Sequence, residues 1–595
     1  MAEIASGDLV TFTVKVKGAA IPDTFQVFSI KVEQHLNRIS VAQILLLDGS
    51  ASKETFPISS SDTFLPGNEV TIEAGYNSKN SLIFKGIVTK QSIKVDQGIG
   101  SALEVECKDA AVKMTIGRKS ASFSKTKDSD VMSKLIGGYS GLSASVTATP
   151  DTLAELVQYY STDWDFMLSR AEVNGMIVST INDKVSVFKP DANSSPVLTV
   201  TYGDDLYSFH AELNSITQLS EVKASAWDPK TQKLISAQAS NNLAGAGNLS
   251  SKKLADVVGL AEFELQTSAA EPNSQLTGWA KAQMLKSEYA KITGEVRFQG
   301  SSKVVPGSYI TVKGVGGRFN GDHLLSGVTH DISAGNWFTH ASLGLSPAWF
   351  VQEADVMAPP AAGLLPGVQG LYNATVKKIY QDPDNEYRIL VDLPLFNSNG
   401  AGQWARLANF YSTSGAGAFF LPEVDDEVVV GFLNDDPRYP IILGSLYSSG
   451  RKPYSKLQPN QKNSMKAIVS KSELRILFDD ENKVLTIQTP ASNEIELDDK
   501  NKQISIKDEN GNSVVMSSSG ISMKSPKSIT IEADQNLTLK GKMGVTVQAS
   551  GGDVNVKGVN IKENASAQYS AQGGATAQVQ GGAQLTLKAA MVMIN

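Results

Sequence analysis

Between residues 484 and 561 the chain repeats a short apolar couplet: VLTI, EIEL, QISI, VVMS, ISMK, SITI, NLTL, VTVQ and DVNV. In the middle of the run Ile521, Ile529, Leu537 and Val545 follow one another at a spacing of eight. Apolar and polar residues alternate within each unit, as in Ile529 and Ile531 or Leu537 and Leu539, which predicts strands with one buried face. Ser, Asp, Asn, Gly and Lys fill the gaps and supply turns. The period bears on chain number. A β-helix coil closed by one chain needs on the order of 18 residues, whereas a unit of eight gives about one side at ~3.3 Å per residue. One chain alone leaves a bare apolar edge. Three chains wound together would close each turn. The pattern therefore predicts an intertwined trimeric needle, with a stack of ordinary hairpins as the alternative.

The first 110 or so residues alternate with period two in FTVKV, QVFSIKVEQ, SVAQILLLDG, EVTIEAGY, LIFKGIVTKQSIKV and ALEVECKD, which predicts strands. DSDVMSKLIGGYSG, with capping residues at its start and glycines at its end, predicts a helix. A second helix is predicted over 151–175, where Trp164, Met167, Leu168 and Ala171 share a face. MIVSTINDKVSVFKP returns to strand, and TGWAKAQMLKSEYAKI predicts a further helix before more strands. The run APPAAGLLPG at 358–367 is the clearest linker. Beyond it, five or so short strands within about 80 residues predict a small barrel of the OB type. A polar linker comes next, SSGRKPYSKLQPNQKNSM, and then the couplets. After Ile561 small residues replace Ile and Leu, and the chain ends on AAMVMIN, apolar where chain ends are usually polar.

At 595 residues the chain is long enough for several domains. Its net charge of −7, with signs interspersed, offers no basic stripe to nucleic acid. Cys107 is the single cysteine, which excludes intramolecular disulfides and cysteine-rich zinc sites. The start, MAEIASGDLV, has no secretory pattern, and no window approaches the ~20 apolar residues of a membrane span. Synthesis and assembly in the cytoplasm are expected, with any export by a route other than the general secretory one.

Three stretches carry a resemblance. STDWDFMLSRAEVNGM (161–176), with Trp164, Phe166, Arg170, Glu172 and Gly175, resembles a hub helix of the VgrG family of type VI secretion spikes. Residues 404–447, from the WAR start through DDPRYP, resemble that family's OB-barrel segment, and the octads with the terminal VMIN resemble its shaft and tip. The chain is equally similar to the hub and central-spike proteins of contractile phage tails and extracellular contractile injection particles. It departs from the family at Asp425–Asp426–Glu427, where relatives usually place a glycine before the acidic residue. Linker length leaves no room for a lysozyme-like insert before the needle, and no effector domain is expected after Asn595.

The resemblance and the pattern together imply a mainly β fold. The expected parts are β-barrel hub domains with a few helices over 1–360, an OB-fold collar over 361–450, a linker or neck over 451–481 and an intertwined trimeric β-helix needle over 482–595. Ile521, Ile529, Leu537, Val545 and Val554 are the expected needle core. Met591, Val592, Met593, Ile594 and Asn595 would plug the end of the trimer's own core, dock a PAAR-type tip protein, or do both. The implied partners are two further copies of the chain, a hexameric inner-tube protein, baseplate proteins, effector cargo and, transiently, a target membrane. The implied role is mechanical puncture without catalysis, cofactor or nucleic acid.

Catalytic and metal signals are weak. His35, His210, His323, His330 and His340 show no ligand spacing, and none lies in the needle, so an ion held there by histidines, as in some phage spikes, is not available. GVGGRFNG (314–321) matches neither nucleotide-binding glycine pattern and reads as a tight turn. The acidic groups at 425–427, 435–436, 479–481 and 498–499 sit in turn contexts, and no GxSxG elbow occurs. The rival reading is a phage-tail or surface β-helical enzyme that binds and cuts polysaccharide. It needs stacking aromatics, and after Phe478 the chain has only Tyr569.

Overall fold

A computed structural model describes residues 9–96, 100–243, 245–353, 355–396 and 401–594. It divides into two compact units, Met1–Leu446 and Tyr447–Asn595.

The first unit is built on a 13-stranded sheet whose long strand Gly321–Ser333 joins two halves. That strand pairs antiparallel with Val27–His35 on one side and Asn336–Leu343 on the other. Alternation sets the inward faces: in Val41–Leu47 the residues Ala42, Ile44 and Leu46 are buried and their neighbours are not. Inward residues from the N-terminal strands, among them Ile30, Ile44, Ile72 and Leu103, meet Phe64 of the loop before Glu69–Tyr76 in one cluster. Val200, Phe298, Ile310, Leu325 and Val328 make a second. The sheet is thus rolled around two cores rather than lying flat. Cys107 is buried in the first, and burial pushes its thiol up to about 12.

Two helical modules lie beside this sheet. In the first, α1 (Asp128–Gly137) and α2 (Asp163–Val173) pack on a sheet of Ser143–Val146, Ile177–Ile181 and Lys184–Phe188. In the second, α3 (Ser251–Val258) and α4 (Asn273–Tyr289) accompany Glu221–Asp228, Lys233–Ser240 and Phe263–Thr267. The helix expected over 151–175 is corrected by the structure: Leu153–Ser161 is a strand paired with Lys119–Thr126, and only the second half is helical. Thr162 decides where the change falls. Its Oγ1 accepts from the backbone N–H of Asp165 at 3.0 Å and caps α2, so the helix begins there. Before it, Val157, Tyr159 and Tyr160 are good strand formers that stay exposed. Trp164, Met167, Leu168 and Ala171 share the buried face read from their spacing.

The resemblance-bearing residues of α2 hold the modules together. Arg170 makes a two-pronged contact with Asp128 of α1, Nε to Oδ1 at 2.7 Å and Nη2 to Oδ2 at 3.0 Å. Glu172 pairs with Lys286 of α4, both nearly buried, and its Oε2 accepts from the Phe350 backbone N–H at 2.7 Å. Gly175, at φ 67°, takes the left-handed turn out of the helix. Trp349 Nε1 donates to Gln283 of α4 at 2.6 Å, so the chain leaving the large sheet is strapped to the same junction.

The run 358–367 lies inside the first unit: Ala361 is buried, and Val368 donates to the Asp435 carbonyl at 2.7 Å. The chain's division into units falls at Leu446 instead. Next comes the predicted small barrel, closed by five strands: Tyr372–Lys378, Ile389–Asp392, Gln403–Leu407, Pro440–Ser445 and Glu427–Phe432. Ala374, Val376, Ile389, Val391, Val428, Val430 and Ile442 fill its interior. At the Asp425–Asp426–Glu427 turn, Asp425 adopts φ 68°, a left-handed conformation that Asp tolerates better than most residues. The Asp425 amide donates to the Val376 carbonyl at 2.8 Å and ties the turn to that strand.

The second unit begins with a seven-stranded antiparallel meander over 465–524, each strand paired with the next. No strand is assigned between 525 and 594.

Two outcomes test this packing. Removing one partner of the Glu172–Lys286 pair, by Glu172→Gln or Lys286→Met, is expected to cost about 3–5 kcal/mol. The double variant should cost less than the sum, and strict additivity in urea denaturation would show that the pair is not coupled. His330 is fully buried, its Nδ1 3.1 Å from Thr339 Oγ1, and burial pushes it down to about 4. The folded state therefore holds it neutral while the unfolded state protonates below about 6.5. Stability is expected whole above pH 6.5 and lost by about 3 kcal/mol as pH falls toward 4. His330→Gln should flatten that slope. A variant with the parent's slope would assign the titration to other groups.

Candidate functional site

Strand register makes the candidate site. Across the meander Ile476, Ile487, Ile495, Ile506, Val514 and Met523 oppose one another in a single row. Phe478, Leu485, Leu497, Ile504, Met516 and Ile521 form a second. Each of the six strands from Arg475–Asp479 onward contributes one residue to each row, two positions apart, so both rows lie on one face. None of the twelve is buried. The other face carries Leu477, Thr486, Glu496, Ser505, Val515 and Ser522, and Ser505 is fully covered. The apolar face is thus the more exposed of the two, the reverse of a settled sheet. Ile487, Ile495, Ile506, Val514, Met523 and Ile529 line a concavity of about 730 Å³ on it. At ~1.5–3 kcal/mol for a fully buried side chain of this kind, covering the two half-exposed rows is worth on the order of 10 kcal/mol per chain.

Turn chemistry separates this sheet from the octads after it. Each of the six hairpin connections has one left-handed residue: Glu473, Lys483, Ser492, Lys502, Gly511 and Gly520. After Gly520 there is none among the described residues. Asp side chains close three of the turns. Asp479 accepts from the Asn482 amide at 3.1 Å, Asp498 from Asn501 at 2.8 Å and Asp508 from Asn512 at 2.8 Å. Hydrogen bonds from those asparagines hold all three carboxyls below their ordinary range. A glycosidase acid needs the opposite shift. Asp436 is likewise occupied by Arg438, at 2.7 Å.

The couplets over 484–524 are therefore hairpins made within one chain, not sides of a helix wound from several, and this corrects the reading of that stretch. Strand starts at Met465, Arg475, Val484, Glu494, Gln503 and Ser513 are nine or ten residues apart, enough for a five-residue strand and a reversing loop. From Ile521 to Val545 the spacing is eight, and no reversal occurs there. The change of period was the signal for this boundary. Sequence reasoning also missed Ile468, Ile476 and Phe478, assigned to a neck although MKAIV and RILFD alternate as the later couplets do.

Of the expected needle core, Ile521 stands in the second row and Ile529 lines the concavity. Leu537, Val545 and Val554 lie beyond the last strand, and all five residues are 54–70% exposed. At the tip Met591, Val592, Met593 and Ile594 are 52–86% exposed, and Asn595 lies outside the described residues. His323 and His330 are buried on one strand and engaged with Phe319 and Thr339. Residues 314–321 form the tight turn read from GVGGRFNG, with Gly314 and Gly316 at positive φ. Among the described residues no group of three or more His, Cys, Asp or Glu is placed to hold a metal ion.

Comparison with known proteins adds to this geometry. Residues 6–334 match the family described as Alg8 N-terminal domain. Residues 372–447, the closed barrel, match the Type VI secretion system/phage-baseplate injector OB domain. The type VI secretion system spike protein VgrG3 of Vibrio cholerae is 35% identical over 100 residues, which are 15% of this chain and 10% of that protein. The chain thus spans about a tenth of the length of this curated relative. Among solved structures, the 43 kDa tail protein of a Shewanella oneidensis prophage is 10% identical, with 57% of this chain and 98% of that one covered and a TM-score of 0.43. An E. coli component of the type VI secretion system is 12% identical, with 73% and 99% covered and a TM-score of 0.39. A Francisella PdpA–VgrG complex gives 9% identity, 87% and 81% covered, and a TM-score of 0.38. The chain belongs to the Alg8 N-terminal domain family, and behind that domain it carries the injector OB domain of type VI secretion systems and phage baseplates, in line with its resemblance to VgrG-type spikes.

Proposed function

We propose that this chain is the homotrimeric central spike of a contractile injection system. The observation that carries the reading is the bare double row of apolar side chains on the 465–524 sheet, followed by octads with no ladder in their own chain. A single-layer sheet of this kind calls for a cover. Copies of the same sheet, three around an axis, cover one another with matched length and register. The octads of three chains would then continue the same closed prism, with Leu537, Val545 and Val554 turned inward.

In this reading residues 1–360 cap a hexameric inner tube and contribute to a baseplate, the barrel of 361–450 forms a collar, and the shaft points forward. The exposed Met591, Val592, Met593 and Ile594 seat a PAAR-type tip protein. Effectors travel with the spike or its tip. The protein is assembled in the cytoplasm and leaves it only as part of the particle. Its work is mechanical, without an enzymatic step: many apolar turns would have to separate together before the chains parted, which suits a part driven through an envelope. The engaged, downshifted carboxyls of the shaft turns favour this over polysaccharide cleavage.

The test is the mass in solution. Analytical ultracentrifugation is expected to give three times the 63.5 kDa chain mass, and a monomer would sink the reading. Leu497→Glu, in the middle of the second row, should shift the protein toward monomer while leaving the circular-dichroism signal of the first unit intact. An unchanged trimer would place the interface elsewhere.

A further inference from the structure

Asparagine followed by glycine carries its own chemistry. The glycine backbone nitrogen attacks the Asn Cγ, a C–N bond forms, the nitrogen loses its proton, and ammonia leaves. The resulting succinimide takes up water at either of its carbonyls and opens to isoaspartate or aspartate. Water is the only co-reactant, and nothing is oxidised or reduced. Glycine favours ring closure because no Cβ crowds the attacking nitrogen. The fold decides the rest. The carboxamide must be free to swing toward the next nitrogen, and that N–H must be free to give up its proton.

The chain has four Asn–Gly pairs, at 174–175, 320–321, 399–400 and 510–511. The third lies outside the described residues. Asn174, at the end of α2, has its carboxamide pinned: Nδ2 donates to Asp128 Oδ2 at 2.9 Å and to the Arg170 carbonyl at 2.8 Å. The Gly175 N–H donates to the Glu172 carbonyl at 2.9 Å. Asn320 is held through its oxygen, Oδ1 accepting from the Val315 N–H at 3.0 Å. Its backbone is tied as well, to the Gly316 carbonyl at 3.0 Å and the Gly247 N–H at 2.9 Å. Gly321 stands opposite Val312 in the strand ladder.

Asn510 is placed differently. It lies with Gly511 in the turn between Gln503–Lys507 and Ser513–Ser517, and both residues are exposed. Asn510 Nδ2 reaches Asp508 Oδ2 only at 3.4 Å, and the Gly511 N–H reaches the Asp508 carbonyl only at 3.3 Å. Both distances are beyond the usual range of an N–H···O bond. The turn is closed instead by Asn512, whose Nδ2 donates to Asp508 Oδ2 at 2.7 Å. The pair 510–511 is thus the loosest part of a turn that is held without it.

We propose that Asn510 is a deamidation site of the folded protein, converting through a succinimide to isoaspartate and aspartate, while Asn174 and Asn320 are protected. Each product puts a carboxylate beside Asp508, and isoaspartate adds a methylene to the main chain of the turn. A Cβ on Gly511 would stand 3.2 Å from Pro526 Cγ, so the change falls where the hairpins give way to the octads. The inference stands apart from the spike reading.

Incubating the full chain in mildly alkaline buffer, followed by peptide mapping in a mass spectrometer, tests it. Asn510 is expected to convert on the order of tenfold faster than Asn174 or Asn320, the effect of about 1.4 kcal/mol of local opening at the protected sites. Its rate should rise with pH, because the attacking nitrogen must lose its proton. Isoaspartyl methyltransferase should label the tryptic peptide 508–524, and Asn510→Ser should remove that label. Conversion of Asn510 no faster than the other two would overturn the proposal, as would a label that survives Asn510→Ser. In urea the three should convert alike. The folded ranking kept in urea would assign the difference to sequence rather than fold and likewise overturn it.

Discussion

Two rows of Ile, Leu, Val, Met and Phe across the 465–524 sheet stand in water in the single chain, and a sheet one layer thick has no second layer with which to hide them. Hydrophobic burial is the main favourable term in folding, so an uncovered face of this size is a liability unless something meets it. The sheet cannot solve this by register slip, because a shift of one residue would turn every apolar side chain to the polar side. Nor can it curl closed within the chain, since consecutive hairpins lead steadily from Met465 to Lys524 without returning. In the proposed reading, association with further copies covers it. The octads after Ser525 form no strand ladder among the described residues.

The first unit works by the opposite rule and buries its apolar residues within itself. Its two rolled cores share one sheet, with Gly321–Ser333 serving both halves, so the halves are mechanically continuous. Beside them the two modules meet where Glu172 pairs with Lys286, and the segment around Trp349 and Phe350 is tied to the same point. The motif residues of α2 are thus structural. Arg170 and Glu172 fix helices to one another. These charge-assisted bonds in low-dielectric surroundings brace the helices against one another.

Alternation and turn residues made the strands and the small barrel legible in the sequence, and α1 and α4 were also read there as helices, although neither has a side-chain cap. The failures have local causes. Leu153–Ser161 has apolar residues that suit either a helix or a strand, and only pairing with Lys119–Thr126 and the cap at Thr162 decide between them. The hairpins of 465–524 and the octads share one alternation, yet the first group carries a left-handed turn residue in every gap and the second carries none. Ile476 and Phe478 joined the site through strand order, which no single couplet reveals.

By itself, then, the sequence determined which side chains need burial and where the chain turns. These are properties of neighbouring residues, written in period two, in caps and in the spacing of eight between Ile521 and Val545. Tertiary structure decided which strands pair and that the twelve apolar residues fall on one face. Those outcomes depend on contacts between residues far apart in the chain. Their free energy lies in register and packing, which local pattern does not encode.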